Sequence, residues 1–356
     1  PTAAPAAARA AAARVAGLAP GAVVIHPTLA GGGFGAGLET IVAEQAALLA
    51  MRLKRPVNLV WSRGEETLHD RFRPPARATL RARLSGNGAI AAWDAAIAAP
   101  ATGHALARRL LPGAGALLGR GDPYAVAGAA PVYRIPAYAI AHHPAEIGVA
   151  TGHLRGGAHG YTAFFTECFL DELAHVAGTE PLSFRIGMLG GEPRLARCLT
   201  TVAALGGWDG GADGSGQGIA AHAFRGSRIA VLAEVSGEDG ARIRVDRLVA
   251  AVDCGRILNP DLVRQQIEGG LIFGMAQALG ASTGIAGGRT RARGFAGLGL
   301  PRLADSPDIV VELIASGEAP GGVGELGVPA VAPAIANAIF SATGRRLRQL
   351  PLQPGA

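Results

Sequence analysis

The spacing of apolar positions changes along the chain, and each change marks an element. The alanine-rich start, with Thr2 or a neighbour as a cap and Gly17 near the end, predicts a first helix. "AVVIH" (22–26) reads as a short strand and leads into the glycine-rich "AGGGFGAG" (30–37). Leu38 to Leu53 carry apolar residues at helical spacing, and "PVNLVW" (56–61) reads as a second strand. "ATLRARLSGNGAIAAWDAAIA" holds two β-like runs around Asn87-Gly88, a strong hairpin signal.

Residues 98–130 are rich in Ala, Gly and Pro with little periodicity, which predicts a long loop or linker. "GYTAFFTECFLDELAHVAG" (160–178) predicts a helix stopped by Gly178. A break follows at "GGADGSGQG" (210–218), then a hairpin through "RIAVLAEVSGEDGARIRVDRLVAAVDCG" that turns at Asp239-Gly240. Asn259 caps a helix with Pro260 at its first position and apolar residues through Leu279. "DIVVELI" (308–314) is a strand, and Pro333 to Thr343 a final helix closed by Gly344. No internal repeat is present. Hairpins mixed with isolated helices predict an α+β fold rather than a doubly wound sheet.

Composition narrows the function classes. The chain has 356 residues, 49% of them hydrophobic and 17% charged, enough for substantial cores and two or three structural units. Net charge is +6, but the 33 basic residues include a single lysine, Lys54, and the arginines form no stripe interleaved with aromatics. That pattern argues against nucleic acid as a partner. Cys168, Cys198 and Cys254 lie far apart without a CxxC, which predicts neither an iron–sulfur cluster nor structural zinc in this chain. No apolar run reaches the roughly 18 residues of a membrane span. The chain opens on proline rather than methionine, as a fragment or processed piece would.

Four stretches carry candidate chemistry. In "GGGFGAG" a strand, glycine loop and helix would aim backbone N–H groups at an anion. Gly31, Gly33 and Ala36 also satisfy G-x-G-x-x-A, with Glu65 and Glu66 beyond the next strand, so a nicotinamide-binding Rossmann unit is an alternative. The antiparallel hairpin that follows argues against it. In "HLRGGAHG" (153–160), Arg155 before two glycines could grip a phosphate or a polar cofactor edge, or lie on a solvated loop. His142, His143, His153 and His159 show no metal-ligand spacing. In "DCGRILNPDLVRQQIEGG" (253–270), Gln266 and Glu268 could face a ligand or simply solvent. "GGVGELGVPAVAPAIANAIF" (321–340) holds one carboxylate, Glu325. It is either a first-turn helix acid or a general base, whose proton affinity Val323, Leu326 and Val328 would raise by desolvation.

Taken in order, "GGGFGAG", "RPVNLVWSRGEETLHDRFRP", "LRGGAHGYTAFFTECFLDELAHVAG", "AVDCGRILNPDLVRQQIEGG" and "GGVGELGVPAVAPAIANAIFSATGRRLRQLP" resemble the molybdopterin-binding subunit of the xanthine dehydrogenase and aldehyde oxidase family. The nearest branch is that of isoquinoline 1-oxidoreductase and membrane-associated aldehyde dehydrogenase, C-terminal half only. The resemblance implies a mixed α+β molybdopterin-binding fold. It divides the chain into a first cofactor-binding subdomain (1–97), the linker (98–130), a second cofactor loop with its helix (131–210) and a C-terminal subdomain with the glutamate loop (211–356).

The same resemblance implies roles. Gly32, Gly33, Phe34 and Gly35 would lie against the pterin, with Arg155, Gly156 and Gly157 forming the second cofactor loop and Gly324 beside the base. Glu325 would deprotonate a hydroxyl on molybdenum for attack on an aldehyde or on a ring carbon beside nitrogen, the oxygen deriving from water. The implied cofactor is molybdenum-molybdopterin in its cytosine dinucleotide form, the pterin supplying the metal's ligands. Implied partners are the missing N-terminal half or subunit, a 2Fe–2S subunit, a cytochrome c acceptor and a small-molecule substrate. Ala3 stands where the family's "PTQAP" has glutamine, Ala36 and Gly37 replace a basic pair, "LRGG" replaces "WRS", and "GELGVP" replaces Glu-Pro. These departures leave a second expectation, a noncatalytic subunit supporting a partner that holds the active site.

Overall fold

A proline at the first helical position and a left-handed Gly17 (φ 68°) delimit helix α1 (Pro5–Ala16). It packs on α2 (Ile41–Leu53), where Arg14 pairs with Glu44 at 3.3 Å. A short helix, α3 (Arg63–His69), begins at Ser62, whose side chain accepts from the Glu65 N–H. The computed structural model describes residues 2–26, 28–29, 31–111, 113, 115, 118–237, 243–287 and 289–352.

Two mixed sheets organise the rest. Strands β1 (Arg77–Leu84) and β2 (Ile90–Ala99) form the expected antiparallel hairpin, turning through a left-handed Gly88 (φ 82°). After helix α4 (Thr102–Leu110), strand β3 (Ala137–Pro144) joins β2 in parallel. Three helices follow: α5 (His159–Val176), α6 (Pro181–Gly187) and α7 (Pro193–Gly206). The second sheet starts with β4 (Gln217–Phe224), β5 (Ser227–Ser236) and β6 (Arg244–Asp253), each antiparallel to the next. The turn expected at Asp239-Gly240 lies outside the described residues. Helix α8 (Pro260–Leu279) and the small ribbon β7 (Ile285–Ala286) and β8 (Arg289–Thr290) precede β9 (Asp308–Leu313), which pairs in parallel with β6. Helix α9 (Val331–Thr343) ends at a left-handed Gly344, as expected.

The second sheet is covered on both faces, which explains why β5 reads as a nearly continuous apolar run. Ile229, Val231 and Ala233 point towards α8 and α9, whereas Ala230 and Leu232 point towards α7. Between the helices lies a buried charge network. Arg185 of α6 is fully buried and donates to Glu167 Oε2 at 2.9 Å and to the Glu167 carbonyl at 3.0 Å. Glu167 also accepts from Tyr133 and from the Ala221 N–H, tying α5 to β4.

Several expectations are corrected. Residues 22–26 and 56–61 form no strand, and Val24 and Val60 are 70% and 81% exposed. A strand persists only where a neighbour satisfies its backbone groups, and neither segment pairs with one. Without a strand ahead of the glycine loop the Rossmann alternative loses its frame. Residues 98–130 contain α4 and a 3-10 turn, Pro123–Val126, rather than a featureless loop. Strands β3 and β4 and helices α6 and α7 have no counterpart in the sequence reading. The α+β class is as expected.

Candidate active site

The glycine loop is shaped by its backbone. Gly32 (φ 67°), Phe34 (φ 45°) and Gly35 (φ 118°) all adopt positive φ, and at Phe34 this is a costly conformation for a residue with a side chain. A Cβ at Gly35 would lie 2.7 Å from the His153 carbonyl carbon, so the loop can approach the second loop only because that position is glycine. The Arg155 N–H donates to the Phe34 carbonyl at 2.7 Å and locks the two loops together. Outward of this contact Gly31, Gly32 and Gly33 are exposed, and added methyls at Gly31 or Gly32 would meet nothing. Phe34 is 49% exposed, with its ring 5.3 Å from that of Phe273 on α8. Thr2 and Ala3 hydrogen-bond the Gly37 carbonyl at the loop's far end.

The second loop, 153–158, enters α5 through Gly156 (φ 93°) and Gly157 (φ 50°). A half-buried arginine, Arg73, donates to the carbonyls of Arg155 (2.7 Å) and Gly157 (3.1 Å) and so holds this loop from beneath. Its burial lowers the guanidinium pKa to about 10. Arg155 turns across the site: Nε donates to the Gly324 carbonyl at 2.7 Å, and Nη2 donates to the Gln266 carbonyl at 2.9 Å and to its Oε1 at 3.1 Å. Of the two polar α8 residues, Gln266 therefore joins the site network.

Glu325 sits on a turn pressed into α8. A Cβ on Gly270 would lie 2.8 Å from Gly327 Cα, and one on Gly274 would lie 2.7 Å from the Val328 carbonyl. Two glycines one helical turn apart thus make the groove that receives the turn. Glu325 lies six positions ahead of the start of α9, so it is not a first-turn helix acid. Its Oε1 lies 3.1 Å from His153 Nε2, and its Oε2 accepts from the Gly156 N–H at 3.3 Å. Leu326 and Val328 are buried, as expected of its apolar neighbours. The expected upward shift is nevertheless reversed. Burial pushes the carboxyl up, but the His153 hydrogen bond, Arg225 and the Gly156 N–H together leave it below its ordinary value.

Glu325, Gly324, Arg155, Gly156, Phe34 and Gly35 are therefore brought to one place by the hydrogen bonds, ring contacts and close approaches above. Gly32 and Gly33 lie on the outward part of the loop, and Gly157 packs instead under Tyr124. The histidines separate. His153 meets Glu325, His159 Nδ1 meets His222 Nε2 at 2.8 Å, His142 bridges Asp122 and Ala99, and His143 is exposed. Burial lowers His159 to about 4 and His222 to about 3. Nothing in the local sequence marks Tyr124, Arg73, Phe273 or Arg225 as site residues, although all four touch or face this cluster. Among the described residues no group of three or more His, Cys, Asp or Glu could hold a metal ion. The exposed glycine backbone, the Phe34–Phe273 pair and the nearby carboxylate suit a metal that brings its ligands on an organic group.

Comparison with known proteins bears on that fit. Models described as molybdopterin cofactor-binding domains match residues 1–187 and 207–307. The chain is 30% identical over 350 residues to isoquinoline 1-oxidoreductase subunit beta of Brevundimonas diminuta, covering 96% of this chain and 44% of that protein. It is 30% identical to the membrane-bound aldehyde dehydrogenase (pyrroloquinoline-quinone) of Gluconacetobacter polyoxogenes, covering 93% of this chain and 46% of that protein. The chain thus spans a little under half the length of these curated relatives. Quinoline 2-oxidoreductase from Pseudomonas putida 86 shares its fold at a TM-score of 0.83 and 13% identity, over 98% of this chain and 70% of that one. The aldehyde oxidoreductase of Desulfovibrio gigas does so at 0.74 and 17% identity, over 94% and 54%. With matched models over more than half of its length, the chain belongs to the molybdopterin cofactor-binding domain family.

Proposed function

We propose that this chain forms part of a molybdenum hydroxylase or dehydrogenase that oxidises an aldehyde or a carbon of an N-heterocycle. The observation that carries the reading is Glu325, a carboxylate oriented by His153 and by the Gly156 N–H where the glycine–phenylalanine loop meets the arginine loop. When bound, a molybdenum-molybdopterin cofactor supplies the two-electron oxidant and the site where a water-derived oxygen is activated. Gly32, Gly33, Phe34 and Gly35 would hold it on one side and Arg155, Gly156, Gly157 and Gly324 on the other. We take its cytosine dinucleotide form as the candidate.

Glu325 acts as the base. With both oxygens already accepting one hydrogen bond each, its remaining lone pairs are free to take a proton from the reacting oxygen. Its depressed proton affinity keeps it ionised and ready at neutral pH. Phe34 and Phe273 present an apolar wall that excludes water from the reacting carbon. Arg155, committed to the carbonyls of Gly324 and Gln266, fixes the Glu325 turn relative to α8. Electrons leave through a 2Fe–2S partner subunit, and onward to an acceptor such as a cytochrome c. The remainder of the molybdopterin-binding architecture is supplied by a second half or subunit.

The test is Glu325→Gln in the assembled complex. Turnover falls by at least about a hundredfold, the range of lost general-base catalysis, while molybdenum content is unchanged. Full activity in that variant would overturn the assignment. Full activity with Glu325 and Arg155 both changed to alanine would favour the supporting, noncatalytic subunit instead.

A further inference from the structure

Behind Glu325 lies a second pair of residues that the base mechanism does not itself require. His153 places Nε2 against Glu325 Oε1 and Nδ1 against the Tyr124 hydroxyl, so Tyr124, His153 and Glu325 form one line. Tyr124 belongs to the 3-10 turn Pro123–Val126 and is fixed by its neighbour. Asp122 Oδ1 accepts from the Tyr124 N–H at 3.0 Å, and Asp122 Oδ2 accepts from the Gly103 and His104 N–H groups at 2.7 and 3.2 Å. Room for the line is left by glycines on three segments. A Cβ at Gly103 would lie 2.6 Å from Tyr124 Cβ, and one at Gly157 would lie 2.9 Å from its hydroxyl. One at Gly35 would lie 2.9 Å from the His153 ring.

Donor and acceptor counting gives the line a direction. A carboxylate only accepts, so the hydrogen bond to Glu325 requires the proton of a neutral His153 to sit on Nε2. Nδ1 is then an acceptor, and among the described residues the Tyr124 O–H is the donor that faces it. Burial, followed by the Glu325 charge, raises the Tyr124 hydroxyl to about 12, so it remains a protonated donor across the working range. Among the described residues, the other charged or titratable groups facing this line are Arg73 beneath the loop, Arg155, Arg225 at the β4–β5 turn, Asp122, His159 and Tyr161.

We propose that Tyr124 and His153 are positioning residues for Glu325: the Tyr124 hydroxyl locks the His153 tautomer, and His153 Nε2–H in turn orients the carboxylate and lowers its proton affinity. The inference deepens the base assignment and rests on it for its meaning in catalysis. Without the Tyr124 hydroxyl the Nδ1 lone pair loses its donor, and the Glu325 hydrogen bond alone is left to hold the proton on Nε2.

The experiment is nuclear magnetic resonance on the full chain, with histidine labelled with nitrogen-15 and the glutamate carboxyl labelled with carbon-13. Signals are assigned by difference against Glu325→Gln and His153→Gln. The wild-type protein is expected to show neutral His153 protonated on Nε2. Tyr124→Phe is expected to mix the two tautomers and raise the proton affinity of Glu325 about threefold to tenfold, the worth of one hydrogen bond. A wild-type His153 protonated on Nδ1 overturns the proposal, even if the Phe variant fails to fold. A Tyr124→Phe protein with an unchanged tautomer and an unchanged Glu325 titration overturns it as well. Turnover takes no part in this readout. An active Glu325→Gln enzyme would remove the base assignment and leave the lock standing, whereas a failed lock leaves the base assignment untouched.

Discussion

His159 and His222 show what burial costs at single residues. Each is held neutral, at about 4 and about 3 against an ordinary 6.5, because the interior resists an imidazolium and neither partner can absorb the charge. Above pH 6.5 both folded and unfolded chains carry neutral rings, and the pair has no effect on stability. Below it the unfolded chain takes up protons that the folded one refuses. Stability therefore falls between pH 6.5 and 4, by about 1.4 kcal/mol per pH unit for each refused proton. Urea denaturation of wild type and His222→Gln at pH 7.5 and 5 checks this: the variant loses less of its stability on acidification. Residues of this kind are only half legible in the sequence. Glu325 stands out because no charge accompanies it locally, yet the groups that set its proton affinity, His153 and Arg225, lie 172 and 100 positions away. Only the folded chain brings them to it, and their sum reverses the sign that apolar neighbours alone would set.

Elements are read best where local chemistry and tertiary packing agree. The Asn87-Gly88 turn, the Asn259–Pro260 helix start and the Gly178 and Gly344 helix stops all form where their residues predict. Strands at 22–26 and 56–61 fail because hydrophobic content cannot supply a hydrogen-bonding neighbour. Strand β4 and helix α7 escape notice for the opposite reason, their short patterns making sense only against the sheet they cover. Glycines divide in the same way. Gly178 (φ 63°) has open space around it, so Gly178→Ala costs only the left-handed backbone, about 1 kcal/mol. Gly218 of β4 faces α9, where a Cβ would lie 2.7 Å from the Asn337 carbonyl carbon. Gly218→Ala must push that helix off the sheet and costs about 3 kcal/mol. Paired thermal melts of the two variants test the ranking, and equal losses would contradict it.

Across the whole molecule, α2 stands out as an amphipathic helix that leaves several apolar side chains in solvent. None of its residues is buried, and Val42, Leu48, Leu49, Met51 and Leu53 are all more than a third exposed. Apolar side chains gathered on one exposed helix promote association. Leu49→Glu combined with Leu53→Glu should lower the concentration-dependent association of the chain, seen by sedimentation velocity. Folding stability should stay within about 0.5 kcal/mol, as for other surface changes. The five matched motifs also belong to this scale. Each is modest alone, and their order along the chain carries the family. Order does not disclose which loops touch, so the convergence of the Phe34, Arg155 and Glu325 segments emerges only from the fold.

The two walls of the site differ in what they are attached to. The Glu325 turn is wedged against Gly270 and Gly274 and runs directly into α9, buried from Val331 to Ile339. The opposite wall is a surface loop where a side chain added at Gly31 or Gly32 would meet open space. A substitution on the first wall disturbs the protein's foundations along with its chemistry. On the second, only Gly35 is held by a close approach, and the outward positions leave room for larger side chains. Evolution, or a protein engineer, therefore has one fixed jaw and one adjustable jaw, and new substrate preferences should accumulate in the loop around Phe34 long before they reach the turn that holds the base.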